Sequence, residues 1–81
     1  MKTILCVEDE LKILRNNQIA LTEAGFRVLT AENLAQAREH ILNSNPDAIV
    51  LDVMLPDGNG LEYLKELREA GCKIPIIMLT A

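Results

Sequence analysis

The sequence predicts an α/β domain built on a parallel sheet, and three observations carry that prediction. Short apolar runs alternate with longer stretches of helical periodicity along the whole chain, the order expected of repeated strand–helix–strand units. Three of the four apolar runs are continuous, as strands buried on both faces of a parallel sheet are. Glycine, asparagine and proline fall between these segments, where chain reversals are needed.

The elements follow in order. Thr3-Ile-Leu-Cys-Val7 is the first strand, ended by Glu8-Asp9-Glu10, whose acid also suits a helix start. From Leu11 to Ala24, Leu11, Leu14, Leu21 and Ala24 recur at helical spacing among polar residues, and Gly25 supplies the stop. Phe26-Arg-Val-Leu-Thr30 is the second strand. Asn33 can cap a second helix with Leu34, Ala37, Ile41 and Leu42 on one face, which Asn45-Pro46-Asp47 breaks. Ala48 to Leu51 is the third strand, and Pro56-Asp-Gly-Asn-Gly60 is a turn. A third helix carries Leu61, Leu64 and Leu67 and stops at Gly71, and Pro75 introduces the fourth strand, Ile76-Ile-Met-Leu79.

Composition narrows the class. The 81 residues make one domain or less, able to bury roughly two thirds of the unfolded surface. A hydrophobic fraction of 49% and a charged fraction of 25% are those of a folded soluble protein. The net charge of -4 argues against binding nucleic acid or anionic lipid through this chain, because backbone phosphates are gripped by clustered Lys and Arg. No apolar run approaches the roughly 18 residues of a membrane span, and the start turns acidic too soon for a signal peptide, so a cytoplasmic location is expected. Cys6 and Cys72 stand apart from any Cys/His cluster and are expected to be reduced thiols acting as small hydrophobes.

In an open parallel sheet the residues just after each strand emerge at one edge, and ligands bind there. Those residues are Glu8 and Asp9 after the first strand, Asp52 after the third and Thr80 after the fourth. Each has an ordinary explanation, as a helix-start anion, a turn cap or a strand end. Together they are three carboxylates and a hydroxyl converging from distant parts of the chain. Like charges so close raise one another's pKa unless a cation intervenes, which points to a hard divalent ion held by oxygen, and Mg2+ is expected. A carboxylate beside such an ion can accept a phosphoryl group as an acyl phosphate, and the Thr80 hydroxyl could donate to one of its oxygens.

Glu8-Asp9, Val50-Leu-Asp52-Val-Met-Leu-Pro56 with Gly60, and Met78-Leu-Thr80-Ala81 make the chain resemble the receiver domain of two-component response regulators, from Met1 to Ala81. The resemblance implies a flavodoxin-like three-layer fold with sheet order 2-1-3-4, residues 1–81 forming a partial domain that lacks the family's last helix–strand–helix third. It implies Asp52 as phosphoacceptor, Asp9 as a direct Mg2+ ligand, Glu8 as a ligand through water, Met54 contributing its backbone carbonyl, and Thr80 as the switch hydroxyl. The phosphoryl donor would be a sensor histidine kinase, and the parent protein would control a transcriptional output domain. The family's lysine at the end of the fifth strand has no counterpart in Lys2, Lys12, Lys65 or Lys73.

Right-handed crossovers in that order place the first helix alone on one face and the second and third on the other. The third and fourth strands should then have one thinly covered face, and Ile76 to Thr80 an open edge, both prone to homodimer formation or strand exchange. Two other readings stand beside the phosphoacceptor. One is an inert receiver-like piece used only in self-association. The other is a phosphatase with an aspartate nucleophile, which is disfavoured because Met54 stands where such enzymes place a second Asp. A dinucleotide site is disfavoured because Gly58-Asn-Gly60 follows the wrong strand and Tyr63 replaces the third glycine.

Overall fold

The computed structural model describes residues 1–79. Continuous apolar segments can bury both faces only inside a layered α/β fold, and they do so here. The elements run β1 (Thr3–Val7), α1 (Leu11–Glu23), β2 (Arg27–Ala31), α2 (Leu34–Ser44), β3 (Ala48–Asp52), β4 (Met54–Leu55), β5 (Gly58–Asn59), α3 (Gly60–Glu69) and β6 (Ile76–Leu79). Four strands form a parallel sheet in the order β2-β1-β3-β6, the expected 2-1-3-4 arrangement. No helix of the described residues is long and apolar enough to cross a membrane.

Alternation along the strands sorts the core into two layers. Leu5 and Val7 of β1 with Ile49 and Leu51 of β3 pack under Leu34 and Ala37 of α2 and Tyr63 and Leu67 of α3. On the other face Ile4 and Cys6 pack against Leu14 of α1, with Leu21, Phe26, Val28 and Val50 around them. The helix placement that right-handed crossovers require is therefore the one adopted. Both cysteines are free thiols, Cys6 buried and Cys72 half-buried.

Several details differ from the sequence expectation. Leu11, Leu42 and Leu61 are exposed rather than part of their helices' inner faces. Leu11 and Leu61 sit at helix starts, beyond the sheet, and Leu42 is turned about 100° from its neighbour Ile41, which packs inward. The strand β2 begins one residue later than expected because the Phe26 N–H is used to close the turn onto Leu21 O, across Gly25 at φ 97°. Glu10 occupies the N-cap of α1 without a side-chain cap, so its acid does not start the helix in the expected way. The segment read as a turn after Asp52 contains a short antiparallel hairpin, with Met54 opposite Asn59 and Leu55 opposite Gly58.

That hairpin is fixed at both ends. Asn59 caps α3, its Oδ1 accepting from the Leu61 N–H at 2.8 Å. The Gly60 N–H donates to Val53 O at 2.6 Å, and a Cβ on Gly60 would collide with the Asp52 carbonyl oxygen. Only glycine lets α3 start this close to the end of β3.

Candidate metal centre

The register of the sheet assembles the centre. Val7 of β1 lies opposite Leu51 of β3, so the next residues, Glu8 and Asp52, emerge side by side at the carboxyl ends of adjacent strands. Backbone pairing carries on past the end of β1, since the Glu8 N–H donates to Ala31 O at 3.0 Å. Asp52 closes β3, and the Val53 N–H donates to Leu79 O at 3.3 Å.

One carboxylate oxygen from each of Glu8, Asp9 and Asp52 lies within 4.8 Å of the others. Glu8 and Asp52 are buried, at 6% and 8% exposure, whereas Asp9 faces solvent. Burial pushes the Glu8 carboxyl above the usual glutamate range; the Glu10 N–H opposes this, and Asp52 adds to it. That N–H, on the N-cap residue of α1, donates to Glu8 Oε2 at 3.2 Å and ties the carboxylate to the start of the helix.

Two nearly dehydrated carboxylates in contact are costly unless a cation sits between them. The donor set is entirely carboxylate oxygen, with no sulfur or imidazole in the cluster. These residues fit a hard divalent ion that takes few protein ligands and retains water, as Mg2+ does. The three side chains named from the sequence are thus brought together. Met54 lies two residues past Asp52 on the hairpin, with its side chain exposed. Thr80, expected to supply the hydroxyl, lies outside the described residues.

The sequence did not point to the supports of this centre. The Glu10 amide, the Ala31 carbonyl and the glycine contact at the Asp52 carbonyl are backbone features. Asp57 was read as part of a turn, yet its Oδ1 and Oδ2 accept from the Leu34 and Ala35 N–H groups at 2.8 and 3.0 Å. The only sequence signal for that bond is a carboxylate at a hairpin tip, which is common without such a partner.

Comparison with known proteins agrees with this architecture. A sequence profile of the response regulator receiver domain matches residues 4–81. The chain is 48% identical over 82 residues to the phosphate regulon transcriptional regulatory protein PhoB of Pseudomonas aeruginosa, covering 99% of this chain and 36% of that protein. It is 41% identical over 81 residues to the KDP operon transcriptional regulatory protein KdpE of Escherichia coli, covering 100% of this chain and 36% of that one. The chain thus spans about a third of the length of these curated relatives. Among solved structures, the receiver domain of Francisella response regulator 1452 superposes with a TM-score of 0.95 at 31% identity, over all of this chain and 67% of that one. The response regulator TrrA of Thermotoga maritima, in complex with Mg2+ and BeF, gives 0.93 at 38% identity, over all of this chain and 70% of that one. A three-layer fold with this strand order, an acidic cluster at the strand ends and a profile match over nearly every residue lead to one conclusion: the chain belongs to the response regulator receiver domain family.

Proposed function

We propose that this chain is the phosphoacceptor part of a two-component response regulator, with Asp52 as the residue that takes the phosphoryl group. The observation that carries the reading is the packing of Asp52 against Glu8, with Asp9 beside them, at the carboxyl end of a central parallel strand. A carboxylate oxygen of Asp52 attacks the phosphorus of a phosphohistidine on a sensor kinase. The new O–P bond gives an acyl phosphate, and the P–N bond breaks with its electrons and a proton going to the departing imidazole. Glu8, Asp9 and Asp52, with the Met54 backbone carbonyl, would hold Mg2+. When bound, that ion neutralises charge on the phosphoryl oxygens.

The chain's own residues prepare this centre. Leu51 and Val7, packed beneath it, fix the direction in which Asp52 leaves the sheet. The Glu10 amide ties the Glu8 carboxylate to the start of α1. Thr80 would donate its hydroxyl to a phosphoryl oxygen, on the family's pattern. Control of transcription by the parent protein is supported by the names of the curated relatives.

The test is incubation with Mg2+ and acetyl phosphate, followed by intact-mass measurement. One added phosphoryl group, absent in Asp52→Asn and absent when the metal is chelated, is the expected result. No adduct in the wild type overturns the reading, and steady turnover of a phosphoester would point to a phosphatase instead.

A second property is favoured by the half-bare face of β3 and β6. Val50, Ile77 and Leu79 line an apolar groove with Ala20 and Leu21, and Ile77 is 60% exposed. Self-association of this chain through that face or the β6 edge is read out by sedimentation, where a monomer at all concentrations would exclude it.

A further inference from the structure

The first four N–H groups of a helix have no partners within it, so what satisfies them shows what the helix end is attached to. At α2, where the Ala37 N–H makes the first regular helical bond to Asn33 O at 3.1 Å, the Gln36 N–H before it is capped locally by Asn33 Oδ1 at 2.8 Å. The N–H groups of Leu34 and Ala35, the first two residues of the helix, are taken by both oxygens of Asp57, more than twenty positions further along the chain. Asp57 stands at the turn between β4 and β5. The hairpin also touches the same helix end through its backbone, since a Cβ on Gly58 would come within 2.7 Å of Leu34 Cδ1.

These bonds complete a closed circuit around the acidic cluster. Glu8 is bonded through its N–H to Ala31 O at the end of β2. Three residues later the chain reaches Leu34, where Asp57 grips it. From Asp57 the hairpin runs back to its base, where the Gly60 N–H binds Val53 O at 2.6 Å, immediately after Asp52. The sheet pairing of Val7 with Leu51 closes the circuit. Every link except the Asp57 carboxylate is covalent or backbone-to-backbone. Asp57 is therefore the one side chain whose removal opens it.

We propose that Asp57 is a positioning residue: by clamping the β4–β5 hairpin to the start of α2 it sets where Asp52 and the Met54 carbonyl lie relative to Glu8 and Asp9. This rests on the metal-assisted phosphoacceptor reading, which it deepens by assigning the support of the ligand set. The amides of Leu34 and Ala35, with Arg38 nearby, also hold the Asp57 carboxyl below the usual aspartate range, as an engaged anion requires. Asp57 stands outside the cluster of Glu8, Asp9 and Asp52, with both oxygens engaged by the α2 amides, so its effect on the centre is through geometry alone.

The test compares Asp57→Ala, Asp57→Asn and Asn33→Ala in the full chain. Asn33→Ala also removes a cap from α2 but leaves the hairpin clamp intact, so it separates loss of helix capping from loss of positioning. Amide hydrogen exchange at Gly60 reports the hairpin base, and Mn2+ titration followed by electron paramagnetic resonance reports the ligand set. Asp57→Ala is expected to speed Gly60 exchange about tenfold and to weaken Mn2+ binding by a similar factor, on the scale of one lost local tie. Asp57→Asn, which keeps one acceptor oxygen, should recover part of both. Asn33→Ala should leave both within about twofold of wild type. Unchanged Gly60 exchange in Asp57→Ala, or equal Mn2+ losses in Asp57→Ala and Asn33→Ala, overturns the positioning role. A wild-type chain that takes up no Mn2+ overturns the metal reading, and with it the assignment of Asp57 to the ligand set, even if Gly60 exchange shows the clamp itself to be intact.

Discussion

The two faces of the sheet are built from similar side chains and buried to different depths. On the α2 and α3 side Leu5, Val7, Ile49 and Leu51 are at most 1% exposed. On the α1 side Cys6 is equally buried, but Val50 is half-buried and Ile77 is 60% exposed. The strands do not account for the contrast, because β1 and β6 are apolar beyond Thr3 and β3, apolar up to Asp52, contributes to both faces. The helices do. A helix about 10 Å across covers roughly two strands spaced about 4.8 Å apart, so one helix shields β1 and β2 and leaves β3 and β6 open. Burial in this fold is thus a property of the layer above a residue more than of the residue.

The same contrast bears on the candidate metal centre. Asp52 follows Val50 at the two-residue period of a strand and Glu8 follows Cys6, so both carboxylates continue the α1 side. Even so, Glu8 and Asp52 are buried, and it is Asp9, facing solvent beside them, that leaves one side of the cluster open to water.

The largest way to probe the comparison is to truncate matched positions. Ile49→Ala should cost about 2–5 kcal/mol, since its cavity would lie in the two-helix layer. Ile77→Ala should cost under about 1 kcal/mol, because most of that side chain is already in water. Urea unfolding of both variants checks the pair, and equal losses would break the account.

Next in size is Asp52→Asn. Removing one of the clustered charges should raise the stability of the metal-free chain by about 1–4 kcal/mol, the range for two like charges a few ångströms apart between bulk water and a protein surface. If the cluster holds Mg2+ as proposed, the substitution should also weaken the stabilisation expected from the ion. Thermal melts with and without the ion read both effects.

Ile77→Lys should change folding stability by less than about 0.5 kcal/mol while reducing any concentration-dependent sedimentation, because a charge on a bare face or open edge blocks pairing. A loss of stability like that of Ile49→Ala would show the α1 side to be better covered than its exposure indicates.

The smallest effect concerns acid. A carboxyl held below its ordinary value stabilises the fold fully above that ordinary value, and the contribution fades as the pH falls through the lowered one. The stability difference between wild type and Asp57→Ala should therefore be flat near neutrality and shrink in strong acid. A difference that grew on acidification would contradict the clamp.

Much of the fold was legible because burial on both faces leaves a run such as Ala48 to Leu51 with no polar position to hide its nature, and Gly25, Asn45 and Gly71 mark the ends of helices. The order of the strands and the grouping of Glu8, Asp9 and Asp52 followed from one handedness rule and one family pattern. The exposure of Leu42 was not legible, since apolar content alone does not tell which of two adjacent residues faces the sheet. Nor was the hairpin after Asp52, whose two-residue strands are too short for periodicity to register.

The sequence by itself determined the segments, their parallel arrangement and which carboxylates would surface at the strand ends, because periodicity, chirality and the charge-burial penalty act locally or by general rule. Only the tertiary structure decided that Asp57 holds α2, that Gly60 lies against the Asp52 carbonyl and that one face of β3 is half bare. Those depend on distances between parts of the chain that no local pattern encodes, and they exist only once the layers have packed.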